Sequence, residues 1–74
     1  MSKLFNKIAT IVELNIDEKA TILVENVKLR FTEKSVIVYT YDNDEQVWFK
    51  EVVINSNMLN HQIVNLIIQV IKYN

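Results

Sequence analysis

The chain contains neither glycine nor proline in its 74 residues. Glycine supplies the positive φ angles and the close backbone approach that phosphate-binding loops, dinucleotide fingerprints and nucleophile elbows require. The sequence therefore excludes those three kinds of site. Its turns must be built from Asn, Asp and Ser, the other residues that tolerate or cap tight bends.

The composition indicates one small folded domain that spans residues 1–74. Half of the residues are hydrophobic, which is too large a share for a disordered chain. A domain of this size buries only about 60% of its unfolded surface, so its margin of stability is thin. A homodimer or another partner would add buried surface. Frequent Asn, Ile and Lys are typical of an A+T-rich coding sequence, which fits a low-GC bacterium, a phage or a mobile element.

Charge and hydropathy favour a cytoplasmic protein without a membrane segment. The net charge of −1 does not steer the whole molecule to nucleic acid or anionic lipid, so polyanion binding would need a local patch. The first residues contain two lysines but lack the apolar run and cleavage site of a signal peptide. The longest apolar region, 63–71, is too short to cross a bilayer.

The first segment, residues 2–14, is predicted to be a helix with Ser2 as its N-cap. An alternative is an additional strand, because Ile11 and Val12 are β-branched and part of the segment also alternates. The helix is favoured because the apolar residues segregate to one helical face, namely Leu4, Phe5, Ile8, Ala9, Ile11 and Val12.

The remaining pattern predicts three strands and a second helix. The strands cover 20–31, 36–41 and 46–54, with a bulge or bend near Glu25 and Asn26, and the helix covers 58–73. Polar turns at 32–35 and 42–45 join the strands. The predicted fold is therefore α+β, a three-stranded antiparallel β-meander between an N-terminal and a C-terminal helix in the order α-β-β-β-α.

The final helix is apolar around most of its circumference. Val64, Ile68 and Ile71 broaden its main apolar stripe, so the helix needs cover on more than one side. The sheet can supply one cover, and the N-terminal helix or a second subunit must supply the other. These three residues are therefore predicted to serve packing or a dimer contact.

Tight turns would pair Phe31 with Val36 and Tyr41 with Gln46, and side-chain alternation then separates two sheet faces. The predicted core face carries Val27, Leu29, Phe31, Val36, Val38, Val47, Phe49 and Val53, with Thr40 and Glu51 as polar exceptions. In the first predicted strand, Leu23 lies on the same side as Val27.

The opposite face mixes aromatic and basic side chains. It carries Lys28, Arg30, Ile37, Tyr39, Tyr41, Trp48, Lys50, Val52 and Ile54. In this register Lys28, Tyr39 and Trp48 form one cross-strand row. The ordinary interpretation is a solvated or covered face, with cationic stems lying along the rings. The functional one is a binding surface for a protein or for single-stranded nucleic acid.

The sequence offers no set of residues for catalysis or for a metal. His61 is the only histidine, there is no cysteine, and the serines Ser2, Ser35 and Ser56 fall at predicted turns or caps. Residues 42–45 resemble a cation loop only superficially, because an EF-hand would need Gly and Glu where Val47 and Val53 stand. We expect no enzyme activity, no cofactor and no metal.

Two functional hypotheses follow. The leading one is a small accessory or inhibitory protein of the phage or mobile-element type, homodimeric, that binds another protein. The alternative is a single-stranded nucleic-acid-binding module. Both use the same candidate binding residues, which are Lys28, Arg30, Tyr39, Tyr41, Trp48 and Lys50.

Overall fold

Two helices flank a four-stranded antiparallel sheet in the computed structural model, which describes residues 2–73. The strands lie in chain order across the sheet, so each pairs with its neighbour in sequence. The elements are α1 (Lys3–Asn15), β1 (Ala20–Val24), β2 (Val27–Phe31), β3 (Ser35–Asp42), β4 (Val47–Asn55) and α2 (Asn60–Tyr73). The predicted α+β class, antiparallel sheet and terminal helices are confirmed.

The first segment is the predicted helix and not the alternative strand. The Ser2 side chain caps α1, since its Oγ accepts a hydrogen bond of 3.0 Å from the backbone N–H of Phe5. Ile8 and Val12, one turn apart, are completely buried. Segregation of the apolar face therefore decides the structure here, over the strand preference of β-branched residues.

The predicted count of three strands is wrong, because the segment 20–31 forms two strands. The chain reverses between Val24 and Val27, which pair with each other, and Glu25 adopts a φ of 53°. A positive φ in a two-residue turn is usually adopted by Gly or Asn, whereas here a glutamate adopts it. The reversal also places Leu23 on the face opposite Val27, where it is 69% exposed.

The pairing of β3 with its two neighbouring strands follows the prediction in part. Phe31 pairs with Val36 as predicted, whereas the tip closes one residue later than predicted, at Asp42 and Val47. Asp42 stabilises this tip, since its Oδ1 accepts hydrogen bonds from the backbone N–H groups of Asp44 and Glu45. The one-residue difference at both ends of the loop leaves the faces of the strands next to the tip unchanged.

A β-bulge in β4 reverses the predicted faces of its second half. Val38 pairs with Val52 and Tyr39 pairs with Lys50, which leaves Glu51 as the extra residue. Val52 and Ile54 therefore face the core and not the opposite side, whereas Val53 turns away from the core. Ile54 is 1% exposed and Val53 is 55% exposed.

The predicted core positions Val47 and Phe49 are also exposed, although they lie on the predicted face. They stand near the hairpin tip, beyond the part of the sheet that the helices cover. Thr40 and Glu51, the polar exceptions on this face, are hydrogen-bonded to each other there, with 2.7 Å between Oγ1 and Oε1.

Both helices pack on the same face of the sheet. The buried strand residues all lie on that face and form one cluster with the buried residues of the helices, namely Ile8, Val12, Val24, Val27, Leu29, Phe31, Val36, Val38, Ile54, Ile63, Val64 and Ile67. α1 packs against α2 and supplies the second cover that the apolar final helix needs. Within residues 2–73, neither helix has the length and hydropathy of a membrane span.

The two neighbouring residues Ile54 and Val53 provide a direct test of the bulge. We expect Ile54→Ala to lower the free energy of unfolding by about 2–5 kcal/mol, because it removes a buried side chain. Val53→Ala is the matched control, and its effect should stay within about 0.5 kcal/mol because the side chain is exposed. Urea unfolding of both variants measures the difference; a larger loss from Val53→Ala would contradict the register.

Candidate functional site

The sheet face turned away from the helices is uncovered, and we call it the outer face. None of its side chains is among the buried residues of the core. It consists of Thr21, Leu23, Lys28, Arg30, Ile37, Tyr39, Tyr41, Trp48, Lys50 and Val53. All six binding residues predicted from the sequence lie on this face.

Lys28 joins two aromatic rings near the centre of the outer face. Its Nζ lies 4.8 Å from the ring centroid of Tyr39 and 4.7 Å from that of Trp48. Both distances fall within the range of cation–π attraction. Lys28 pairs with Tyr39 across β2 and β3, and its long side chain reaches past Tyr39 to Trp48.

Trp48 and Tyr41 form an aromatic pair next to this lysine. They are direct cross-strand partners on β4 and β3, with ring centroids 5.1 Å apart and an angle of 65° between the ring planes. An edge-to-face pair of this kind fixes the two rings relative to each other. Trp48 nevertheless remains 37% exposed, so part of its indole is accessible to a ligand.

Two more cations extend the outer face. Lys50 is the cross-strand partner of Tyr39, and Arg30 is the partner of Ile37 in the next row. The sequence prediction placed Trp48 opposite Tyr39 instead, and the later closure of the hairpin tip explains the difference. The strands thus place cations and rings in adjacent positions, close enough for one extended ligand to touch both.

The outer face has a uniform sign of charge. Its strand residues include three cations and no carboxylate. The salt bridges of residues 2–73 join Lys7 to Glu25 and Lys19 to Glu33, so they leave Lys28, Arg30 and Lys50 unpaired by carboxylates. Acidic residues stand at the rim, at Glu25 and in the hairpin tip with Asp44 and Glu45.

A difference in strand length creates an arm at one end of the sheet. β2 begins only at Val27, opposite Thr40, whereas β3 and β4 extend beyond that point to the turn between Asp42 and Val47. We call this extension the arm. The arm carries Tyr41 and Trp48 on the outer face, and its reverse side carries exposed Val47 and Phe49.

The other candidates from the sequence do not assemble into a site. His61 is exposed on α2, and no group of three His, Cys, Asp or Glu suited to a metal occurs among the described residues. Val64 is buried inside the chain, while Ile68 and Ile71 are half-buried and pack against the core. The intramolecular core thus accounts for all three, and a dimer contact through them stays a prediction.

Sequence reasoning missed two groups of residues near this face. Leu23 and Val53 join it because of the β1–β2 turn and the bulge, neither of which has a glycine or a clear turn motif to mark it. Asn26 and Asn43 lie beside it because β2 is shorter than β3. The unequal strand lengths become visible only when the segment 20–31 is divided at Glu25.

The chain matches no protein-family model, no curated protein and no solved structure in comparisons with each. Its functional interpretation therefore depends on the geometry and chemistry of its own residues.

Proposed function

We propose that the outer face binds single-stranded nucleic acid. The observation that carries this proposal is the combination of three cations and three aromatic rings, without a strand carboxylate, on one uncovered sheet face. Phosphates would contact the cations, and bases would stack on the rings. The residues are Lys28, Arg30, Tyr39, Tyr41, Trp48 and Lys50.

The exposed rings of the outer face favour a single strand over a duplex. In a duplex the bases stack on one another, so their faces are closed to protein side chains. An unpaired strand can turn its bases onto Tyr39 or Trp48, and every base has a π-face to offer. A ligand that lies across the sheet can meanwhile reach Lys50 and Arg30 with its phosphates.

The local charge can attract a polyanion although the chain as a whole carries −1. Salt screens charges over about 8 Å at physiological ionic strength, so a phosphate on the outer face responds mainly to the nearest cations. The charge of Glu25 at the rim is partly offset by Lys7, 3.1 Å away. With three cations, we expect modest, sequence-tolerant affinity with a clear dependence on salt.

Trp48 and Phe49 form a matched pair for testing this proposal. They are adjacent, with exposures of 37% and 44%, and they project from opposite sides of the arm. We expect Trp48→Ala to weaken binding of a mixed-sequence, labelled single-stranded DNA by about 5- to 150-fold, the effect of losing one stacked base. Phe49→Ala should leave the affinity unchanged.

Fluorescence anisotropy measures both affinities, and far-UV circular dichroism checks that each variant is folded. Equal losses from the two variants would indicate a general effect on the arm. No binding by the unmodified protein at low salt would refute the proposed function.

The salt dependence gives a second, independent measure of the cationic contacts. Three neutralised phosphates predict a slope of log K against log salt of about −2, or a loss of about 20-fold between 50 and 200 mM. Lys50→Gln should reduce the slope by about 0.7, whereas Lys72→Gln in α2 should not change it. Identical slopes for the two variants would exclude Lys50 as a phosphate contact.

A second candidate function is binding of another protein, which includes homodimerisation and an accessory or inhibitory role of the phage or mobile-element type. The observation that favours it is the pair of exposed apolar side chains Val47 and Phe49 on the reverse side of the arm. Exposed apolar side chains placed together are typical of contact sites. β4 is also an edge strand, although Lys50 and the bulge at Glu51 oppose indiscriminate edge pairing.

Sedimentation velocity over a wide range of protein concentration tests the homodimer. We expect a concentration-dependent shift toward dimer that Phe49→Ser abolishes, because the substitution removes the larger apolar side chain of the reverse side. Trp48→Ala, on the opposite side of the arm, should sediment like the unmodified protein. A monomer at every concentration would contradict the homodimer.

A further inference from the structure

A notch lies at the edge of the outer face, between the β1–β2 turn and the arm. It exists because β3 extends past Thr40, the partner of the first β2 residue Val27, and this extension leaves a gap beside the arm. The notch has a volume of about 460 Å³, within the usual range of small-ligand sites. Its lining consists of Glu25, Asn26, Thr40, Tyr41, Asn43 and Trp48.

The polar side chains of the notch are rich in hydrogen-bond acceptors. Asn26 donates through Nδ2 to the backbone carbonyl of Ile71, 3.1 Å away, so its Oδ1 is left as an acceptor. Thr40 uses its hydroxyl hydrogen on Glu51, which leaves the lone pairs of Oγ1. Glu25 is a carboxylate in a salt bridge with Lys7, and it adds further acceptor oxygens.

Aromatic rings form part of the lining of the same notch. Tyr41 and Trp48 belong both to it and to the outer face, so a strand that crosses the outer face leads into the notch. The negative charge of Glu25 disfavours a phosphate there. An uncharged planar group with several donors can instead contact the rings and satisfy the acceptors.

We propose that the notch binds one nucleobase of the bound strand and selects guanine. The inference rests on the proposed function, since it assigns a base-recognition site to the same surface. Guanine presents two adjacent N–H donors, N1–H and the N2 amino group, which together can bridge the two oxygens of the Glu25 carboxylate. Asn43 can donate its amide N–H to the guanine O6 acceptor. Thymine offers a single N–H donor, and adenine and cytosine offer an amino group beside an acceptor nitrogen.

Labelled oligothymidylates that carry one central guanine, adenine or cytosine, or none, test this selectivity by fluorescence anisotropy. We expect the guanine oligonucleotide to bind at least about fivefold more tightly than all-thymine DNA, the lower end for one bidentate base contact. Glu25→Gln and Asn43→Ala should each remove that preference, and neither should weaken the binding of all-thymine DNA. Asn57→Ala, in the turn before α2, is the matched control and should retain the preference.

The outcomes separate this inference from the function on which it rests. If all four oligonucleotides bind equally and Trp48→Ala still weakens them, the guanine site is refuted and the outer face stands. A guanine preference that survives both notch substitutions also refutes the site. Failure of every oligonucleotide to bind the unmodified protein refutes both proposals.

Discussion

Packing of both helices on one face of the sheet is the constraint on which the rest of this structure depends. α2 is too apolar to be covered by the sheet alone, and α1 supplies the second cover by lying beside it on the same side. Residues 2–73 contain no further element for the other face. One side of the sheet thus becomes a continuous core, and the other side is left open to carry Lys28, Tyr39 and Trp48.

The bulge at Glu51 allows one strand to serve both sides of the sheet. Without it, strict alternation from Lys50 on the outer face would turn Val52 and Ile54 outward and bring Val53 inward. The extra residue places Val52 and Ile54 against the core while Trp48 and Lys50 keep the outer face. The strand thereby contributes both to stability and to the candidate site.

The sequence predicted those parts of the fold that hydrophobic periodicity encodes and missed those that depend on backbone conformation. Spacing alone predicted the terminal helices and the pairing of Phe31 with Val36. It also predicted that the six candidate binding residues share one face. The β1–β2 reversal does not follow from spacing, because a glutamate, Glu25, occupies the positive-φ position where a glycine would have indicated a turn. The bulge was not predicted for a similar reason. Val52, Val53 and Ile54 are all apolar, so their pattern does not show which of them face the core.

The absence of glycine also has an energetic consequence for a chain of this size. Asp17, Glu25 and Gln46 all adopt positive φ angles, at roughly 1 kcal/mol or more each for residues that carry a Cβ atom. Small domains have a stability of only about 5–15 kcal/mol. The packed core beneath the sheet must therefore offset strain in two hairpin turns and in the connection between α1 and β1, and a further contact with a ligand or a partner would add to a thin margin.

Lys28 connects the free form of the outer face to its proposed bound form. In the free protein its ammonium group lies against both Tyr39 and Trp48, an attraction of about 0.5–1 kcal/mol at an exposed position. A base that stacks on either ring would displace it, and such stacking contributes about 1–3 kcal/mol. The displaced ammonium stays on the same face, within reach of the phosphate that accompanies the base. If a strand binds as proposed, the exchange would therefore be favourable overall, since the ammonium group of Lys28 would pass from the rings to the phosphate.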